Sequence, residues 1–247
     1  MTSSTPNFPA PAPSTDPDSP RYAIYFAPDA DTVLHRFGSS WLGRDAISGE
    51  ELEQPALDGF DAESQKALTA TARGYGFHAT LKPPFHLKAG RTADDLMDQA
   101  ARFAAGRASF EVNLVARDLS GFLALMQKES KAAMRELAAD GVRDFDSLRA
   151  LPSDAELEKR RAAGLSSQQE LMLQRWGYPY VMNEFRFHMT LSKRIRDDEE
   201  REALLREILK HGADALATPV RIDAVSVFHQ ENRSKPFLRL GHFPFGG

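Results

Sequence analysis

Two short strings in this chain share four of five positions: Phe77-His78-x-Thr80-Leu81 and Phe187-His188-x-Thr190-Leu191. At the chain's own frequencies of these residues, about 0.002 copies are expected by chance, so the second copy marks a repeat. Side chains alternate along a strand, which sends His and Thr to one face while Phe, the middle residue and Leu point to the other. Each string therefore presents an imidazole beside a hydroxyl. Imidazoles titrate near neutrality and can divide general-base and general-acid duties, while hydroxyls donate to phosphoryl oxygens. Two such pairs facing one cleft suit metal-free chemistry on a phosphodiester.

The elements that must position these residues also occur twice. A strand over 76–82, ended by Pro83 and Pro84, precedes a helix over 92–105 with a Thr92/Asp95 capping box, then strands over 109–117 and 121–126. The order returns as a strand over 184–192, a charged helix over 197–211, and strands over 219–229 and 235–243. Ser109 and Pro219 each lie 31 residues after their histidine, so the spacing repeats as well as the order. Ahead of the first module, residues 21–27 read as a strand, with Asp29 or Asp31 capping a helix to about Leu42 and a short helix near 61–72. Residues 128–176 read as helical, with a capping box at Ser153 and Glu156.

The expected fold class is α+β: two pseudo-symmetric strand-helix-strand-strand lobes (about 76–126 and 184–243) with mainly antiparallel sheets around a central cleft, plus a helical insert over 127–176. Residues 1–20, with six prolines, read as a flexible tail ahead of a single domain over 21–247.

Composition narrows the function. Of 247 residues 42% are hydrophobic and 27% charged, enough for a core, and no apolar run is long enough to span a bilayer. A net charge of −4 argues against coating long nucleic acid, and the absence of cysteine removes thiolate chemistry and disulfides. A soluble, cytoplasmic monomer is expected. No HExxH-type zinc spacing, Gly-x-Gly-x-x-Gly or phosphate-loop Gly-Lys-Ser/Thr signature occurs, so neither metal nor cofactor is expected.

The paired His-x-Thr-hydrophobic strings resemble those of the 2H phosphoesterase superfamily, and the resemblance covers nearly all of the folded region. RYAIYFAP, WLGRDAISG, YGFHATLKPPF, WGYPYV and FRFHMTL further resemble the branch of phosphonate-metabolism (phosphonate-operon) proteins. The resemblance implies a two-lobed α+β fold and hydrolysis of a small cyclic phosphodiester, with a ribosyl cyclic phosphate as one substrate. One of His78 and His188 would deprotonate water and the other protonate the leaving oxygen, with Thr80 and Thr190 holding the phosphoryl group. An RNA-end 2',3'-cyclic phosphodiesterase or ligase-like enzyme is one alternative, and a non-catalytic phosphate-ester binding protein is another.

Around the motifs, Lys82, Lys193 and Arg186 are candidate phosphate contacts, and Tyr75 and Tyr25 candidate stacking partners for a sugar or base. Arg186 lies two residues before His188 and is expected on its strand face. The first module has Gly76 there, read as leaving space on that side and making the site asymmetric.

Overall fold

The structure, a computed structural model, describes residues 19–247, so most of the proline-rich segment lies outside the described residues. The elements run β1 (Arg21–Phe26), α1 (Val33–Leu42), α2 (Ala62–Tyr75), β2 (Ala79–Phe85), α3 (Ala93–Ala105), β3 (Phe110–Val112), β4 (Leu114–Leu119) and β5 (Phe122–Gln127). They continue as α4 (Ala132–Asp144), α5 (Asp154–Arg161), α6 (Ser167–Trp176), β6 (His188–Thr190), α7 (Asp198–His211), α8 (Ala213–Leu216), β7 (Val220–Ile222), β8 (Ala224–Gln230) and β9 (Leu238–Pro244).

Strands from both modules merge into one seven-stranded sheet, in the order β4-β5-β6-β2-β1-β8-β9, and every neighbouring pair is antiparallel. The modules are exchanged rather than side by side. The first module's hairpin, β4-β5, pairs with the second module's motif strand β6, and the second module's hairpin, β8-β9, lies beyond β1 on the other side of β2. Helices follow the exchange: α3 packs on β8 and β9, while α7 packs on β4 and β5. A two-stranded sheet, β3-β7, takes one strand from each module. Neither module can therefore bury its hairpin without the other.

The strands expected over 109–117 and 219–229 each divide, at Asn113 and Asp223, into a short strand in the small sheet and a longer one in the large sheet. The break occurs at the same place in both copies because one continuous strand cannot serve two sheets. The prolines after the first motif do not end β2. Its register passes from Ile24↔Lys82 to Tyr22↔Phe85, so Pro83 and Pro84 sit in an irregularity where no ladder donor is required.

Helix boundaries follow local capping. The first helix is capped by Thr32, whose hydroxyl accepts from the His35 amide, and not by Asp29 or Asp31; Asp29 contributes its carbonyl to the Thr32 amide at 3.0 Å. The capping boxes at Thr92/Asp95 and Ser153/Glu156 form as expected. Asp61 caps α2, which extends to Tyr75 and delivers the chain to the first motif.

One face of the large sheet carries the main core, where Ile24, Phe26, Leu81 and Met189 pack with Leu96, Phe103, Leu137 and Ile208 from the helices. Trp41 is fully buried in this layer, and its indole N–H donates to the Leu191 carbonyl at 2.9 Å, tying α1 to the end of the second motif. The opposite face has a smaller cluster of Ala23, Tyr25, Ala27, Ala46, Phe228 and Phe237, with Tyr75 against it. That face holds the histidines. No helix among the described residues is long and apolar enough to cross a membrane.

Candidate active site

The two motif strands are neighbours, joined at Ala79↔Met189. Antiparallel continuation by one residue sets Thr80 beside His188 and His78 beside Thr190, with all four side chains on the open face. The sequence repeat thus becomes a four-cornered patch with like groups on its diagonals. Phe77, Ala79, Leu81, Phe187, Met189 and Leu191 face the core and fix the strands' orientation.

Each imidazole is held by its own backbone. His78 Nδ1–H donates to the Gly76 carbonyl at 2.9 Å, and His188 Nδ1–H donates to the Arg186 carbonyl at 2.8 Å. A carbonyl can only accept, so Nδ1 carries the proton in both rings and Nε2 is left for chemistry. The Thr80 hydroxyl lies 3.2 Å from His78 Nε2.

Their surroundings differ. His78 stacks on Tyr25, with ring centroids 3.7 Å apart and planes 20° apart, whereas His188 meets the edge of Phe122 at 5.9 Å. Burial lowers His78 to about 4 against the Gly76 carbonyl, which favours the cation, and the nearby charge of His188 lowers it further. Burial also lowers His188, by less. Desolvation therefore makes both rings neutral bases at neutral pH in the empty site.

Gly76 does not leave open space. Its φ is +82° with ψ 172°, and a Cβ there would come within 2.3 Å of Ala46 Cβ and 3.5 Å of Arg44 Nη2. Glycine is required because the backbone must turn back tightly to aim its carbonyl at His78. The asymmetry of the site comes from this packing and from the Tyr25 stack.

Lys82, expected at the phosphate, is placed elsewhere. A register shift between Ile24 and Tyr25 on β1 pairs Tyr25 with Thr80 and Ile24 with Lys82, which turns Lys82 to the helix-covered face. There it is 2% exposed, donating to the Val142 carbonyl at 2.9 Å and facing Asp146 at 3.3 Å. Its burial lowers its pKa to about 8 despite Asp146. Lys193 is exposed beyond the strand, anchored by its amide to the Leu68 carbonyl at 2.6 Å. Arg186 is exposed and precedes the short β6 in irregular backbone, so its link to the site is the carbonyl it gives to His188.

The tyrosines do reach the site. Tyr75 stacks on Phe237 at 5.2 Å and lies 6.3 Å from His78, and Tyr25 is fully buried beneath the imidazole. The Tyr25 hydroxyl is buried without a hydrogen-bond partner. An unmet donor of this kind costs the fold stability. Tyr25→Phe is expected to raise stability by up to about 1 kcal/mol in denaturant unfolding.

Residues that the motif reading missed include Phe122, Phe228 and Phe237 around the rings, and Arg44 beside Gly76. Their pairing across long sequence distances left no local signal. Arg21, which the motif reading also missed, alternates with Ala23 and Tyr25 along β1 and shares their face.

Fold and patch define an α+β protein whose large antiparallel sheet sets two matched His-Thr segments side by side. The chain belongs to the DUF1045 family, described as a protein of unknown function, whose model matches residues 80–238. A protein of Janthinobacterium sp. (strain Marseille) bearing the name ribose 1,5-bisphosphate phosphokinase PhnN is 40% identical over 92% of this chain and 51% of its own length. Its namesake in Laribacter hongkongensis (strain HLHK9) is 34% identical over 81% of this chain and 46% of its own. The chain thus spans about half the length of the curated relatives it matches. Solved structures similar to it include Escherichia coli LigT complexed with NADP+, at 10% identity and a TM-score of 0.44 over 92% of this chain and 98% of that one. A phosphoesterase aligns at 10% identity and a TM-score of 0.43, over 93% of this chain and 99% of that one.

Proposed function

We propose that the chain is a metal-independent phosphodiesterase that opens a small cyclic phosphodiester, a ribosyl cyclic phosphate foremost. The observation that carries this reading is the juxtaposition of His78, Thr80, His188 and Thr190 on one sheet face, with both Nε2 atoms free of backbone partners. The relatives' printed name concerns a phosphorylated ribose, which supports the sugar class. The kinase activity in that name is not carried over, because no phosphate-loop signature occurs in these 247 residues.

In this reading His78, more strongly held neutral, accepts the proton of a water that attacks phosphorus. The ring P–O bond breaks, and His188 Nε2–H protonates the departing sugar oxygen, giving a phosphate monoester and a free hydroxyl. Thr80 and Thr190 donate to the non-bridging oxygens, where charge grows in the transition state. The bound anion raises the pKa of His188, which takes its proton from solvent before the ring opens. Incubation with a panel of cyclic phosphates in EDTA, followed by phosphorus NMR, tests the reading, and conversion of the ribosyl member is expected.

A pH profile gives a second test. In the free enzyme both imidazoles lie below their usual 6.5, yet one must be protonated for turnover. The protonated fraction falls about tenfold per pH unit above its pKa, so kcat/KM is expected to peak on the acid side of 6.5 and fall about tenfold between pH 7 and 8. Stability moves the other way. Unfolded His78 binds a proton near 6.5 and folded His78 only near 4, so stability is expected to decline as pH falls through that window.

A further inference from the structure

A cavity of about 1380 Å³ opens beside the histidine patch without including any of its four residues, and Tyr75, whose ring lies 6.3 Å from His78, lines it. Two guanidiniums on its wall, Arg21 and Arg44, make no ion pair with any described carboxylate. Arg44 is 5% exposed; its Nε and Nη2 donate to the carbonyls of Arg73 and Phe237, at 3.0 and 2.7 Å, and its Nη1 is buried without a partner. Arg21 lies on the open face of β1, in one row with Ala23 and Tyr25, and Gln230 on the neighbouring strand accepts from its Nε at 2.8 Å and from its Nη2. The Arg21 guanidinium sits 5.4 Å over the Phe237 ring, within electrostatic reach of the Tyr75 and Tyr25 phenols.

Nearby charges do not satisfy these groups. Arg233 on the same wall is taken up by Glu156 at 2.9 Å, and Glu51 by Arg73 at 2.6 Å. What remains is two cations that face no carboxylate, one half-buried and one buried, together with the unpartnered Arg44 Nη1 and the unpartnered, buried Tyr25 hydroxyl. A cation desolvated without a carboxylate is costly unless an anion arrives to pair with it.

We propose that Arg21, Arg44, Tyr25 and Tyr75 form a second anion subsite, so that the substrate carries a phosphate monoester in addition to the cyclic phosphodiester that faces His78 and His188. This rests on the function proposed above for its first anion only. The Tyr25 ring, stacked on His78 with centroids 3.7 Å apart, links the two groups. Gln230 orients Arg21 as a positioning residue, its own amide held by the Lys235 carbonyl at 2.6 Å.

The test compares a ribosyl cyclic phosphate with and without a phosphate monoester on its primary hydroxyl. Affinity is measured by calorimetry on the full chain carrying His188→Ala, so that neither sugar is consumed, and turnover is measured separately on the unaltered protein. A preference of at least tenfold for the doubly phosphorylated sugar is expected, collapsing toward equal affinity when Arg21→Gln is added. Tyr75→Phe, which removes one hydroxyl and no charge, keeps the comparison usable should Arg21→Gln unfold, and is expected to reduce the preference severalfold. Equal affinities for the two sugars, or a preference that both substitutions leave intact, overturn the subsite. Turnover of neither sugar by the unaltered protein, with the Arg21-dependent preference intact, overturns the hydrolase reading and upholds the subsite.

Discussion

His78→Ala and His188→Ala are each expected to lower kcat/KM on a ribosyl cyclic phosphate by about 10²–10⁴, the range for loss of a positioned general acid or base. The double variant should be little worse than either single one, because base and acid act in one proton-transfer sequence and their effects are not additive. Folding should survive. Both rings are only partly covered, on the open face, and the residues that hold the strands together are the apolar ones pointing the other way. Removing His78 also removes a desolvated ring whose pKa is held near 4, so His78→Ala should flatten the acid side of the stability profile. Initial rates with denaturant unfolding on the same preparations check both parts. Full activity in either single variant contradicts the assignment of base and acid.

Gly76→Ala should be nearly as damaging although it touches no reacting atom. With φ at +82° and ψ at 172°, the backbone occupies a region essentially reserved for glycine, and the added carbon would meet Ala46 Cβ at 2.3 Å. Strain and overpacking each cost about 1–3 kcal/mol, so a loss of about 2–6 kcal/mol is expected by denaturant unfolding. Relief requires the Gly76 carbonyl to move, and that carbonyl fixes the Nδ1–H tautomer of His78 at 2.9 Å. A displacement of the imidazole by about 1 Å would cost about 10² in rate. Nitrogen-resolved NMR of the two histidines separates the effects: the His78 Nδ1–H signal should shift or vanish while that of His188, anchored independently at Arg186, persists.

Much of this arrangement was legible in the residues. The repeated His-x-Thr strings located both motif strands, because two-residue alternation and a buried apolar layer are local properties. The Thr92/Asp95 and Ser153/Glu156 capping boxes were legible for the same reason. Less visible was what depends on partners far along the chain. That residues 109–117 and 219–229 each divide between two sheets follows from the pairing of β3 with β7, which no window of either segment contains. Lys82, expected at the phosphate, is turned into the core beside Asp146 by the register shift against β1. Gly76 read as empty space, since nothing local announces that Ala46 packs against it. Arg21 meets Gln230 across 209 residues, and Arg44 meets Phe237 across 193, so their shared cavity exists only once β1 and β8 are paired.

The exchange of hairpins between the modules explains why the patch needs the whole folded region. His78, the residue just before β2, and His188, the first of β6, stand beside each other, yet the layer beneath each is completed by helices and hairpins from both copies.

The central claim is that two imidazoles on adjacent strands open a cyclic phosphate without a metal. Phosphorus NMR of a ribosyl cyclic phosphate incubated with the protein in excess EDTA tests it most directly, run beside the His78→Ala/His188→Ala double variant. The account predicts that the cyclic resonance is replaced by a monoester resonance with the unaltered protein and persists with the double variant. Conversion that EDTA abolishes, or that proceeds equally in the double variant, would contradict it.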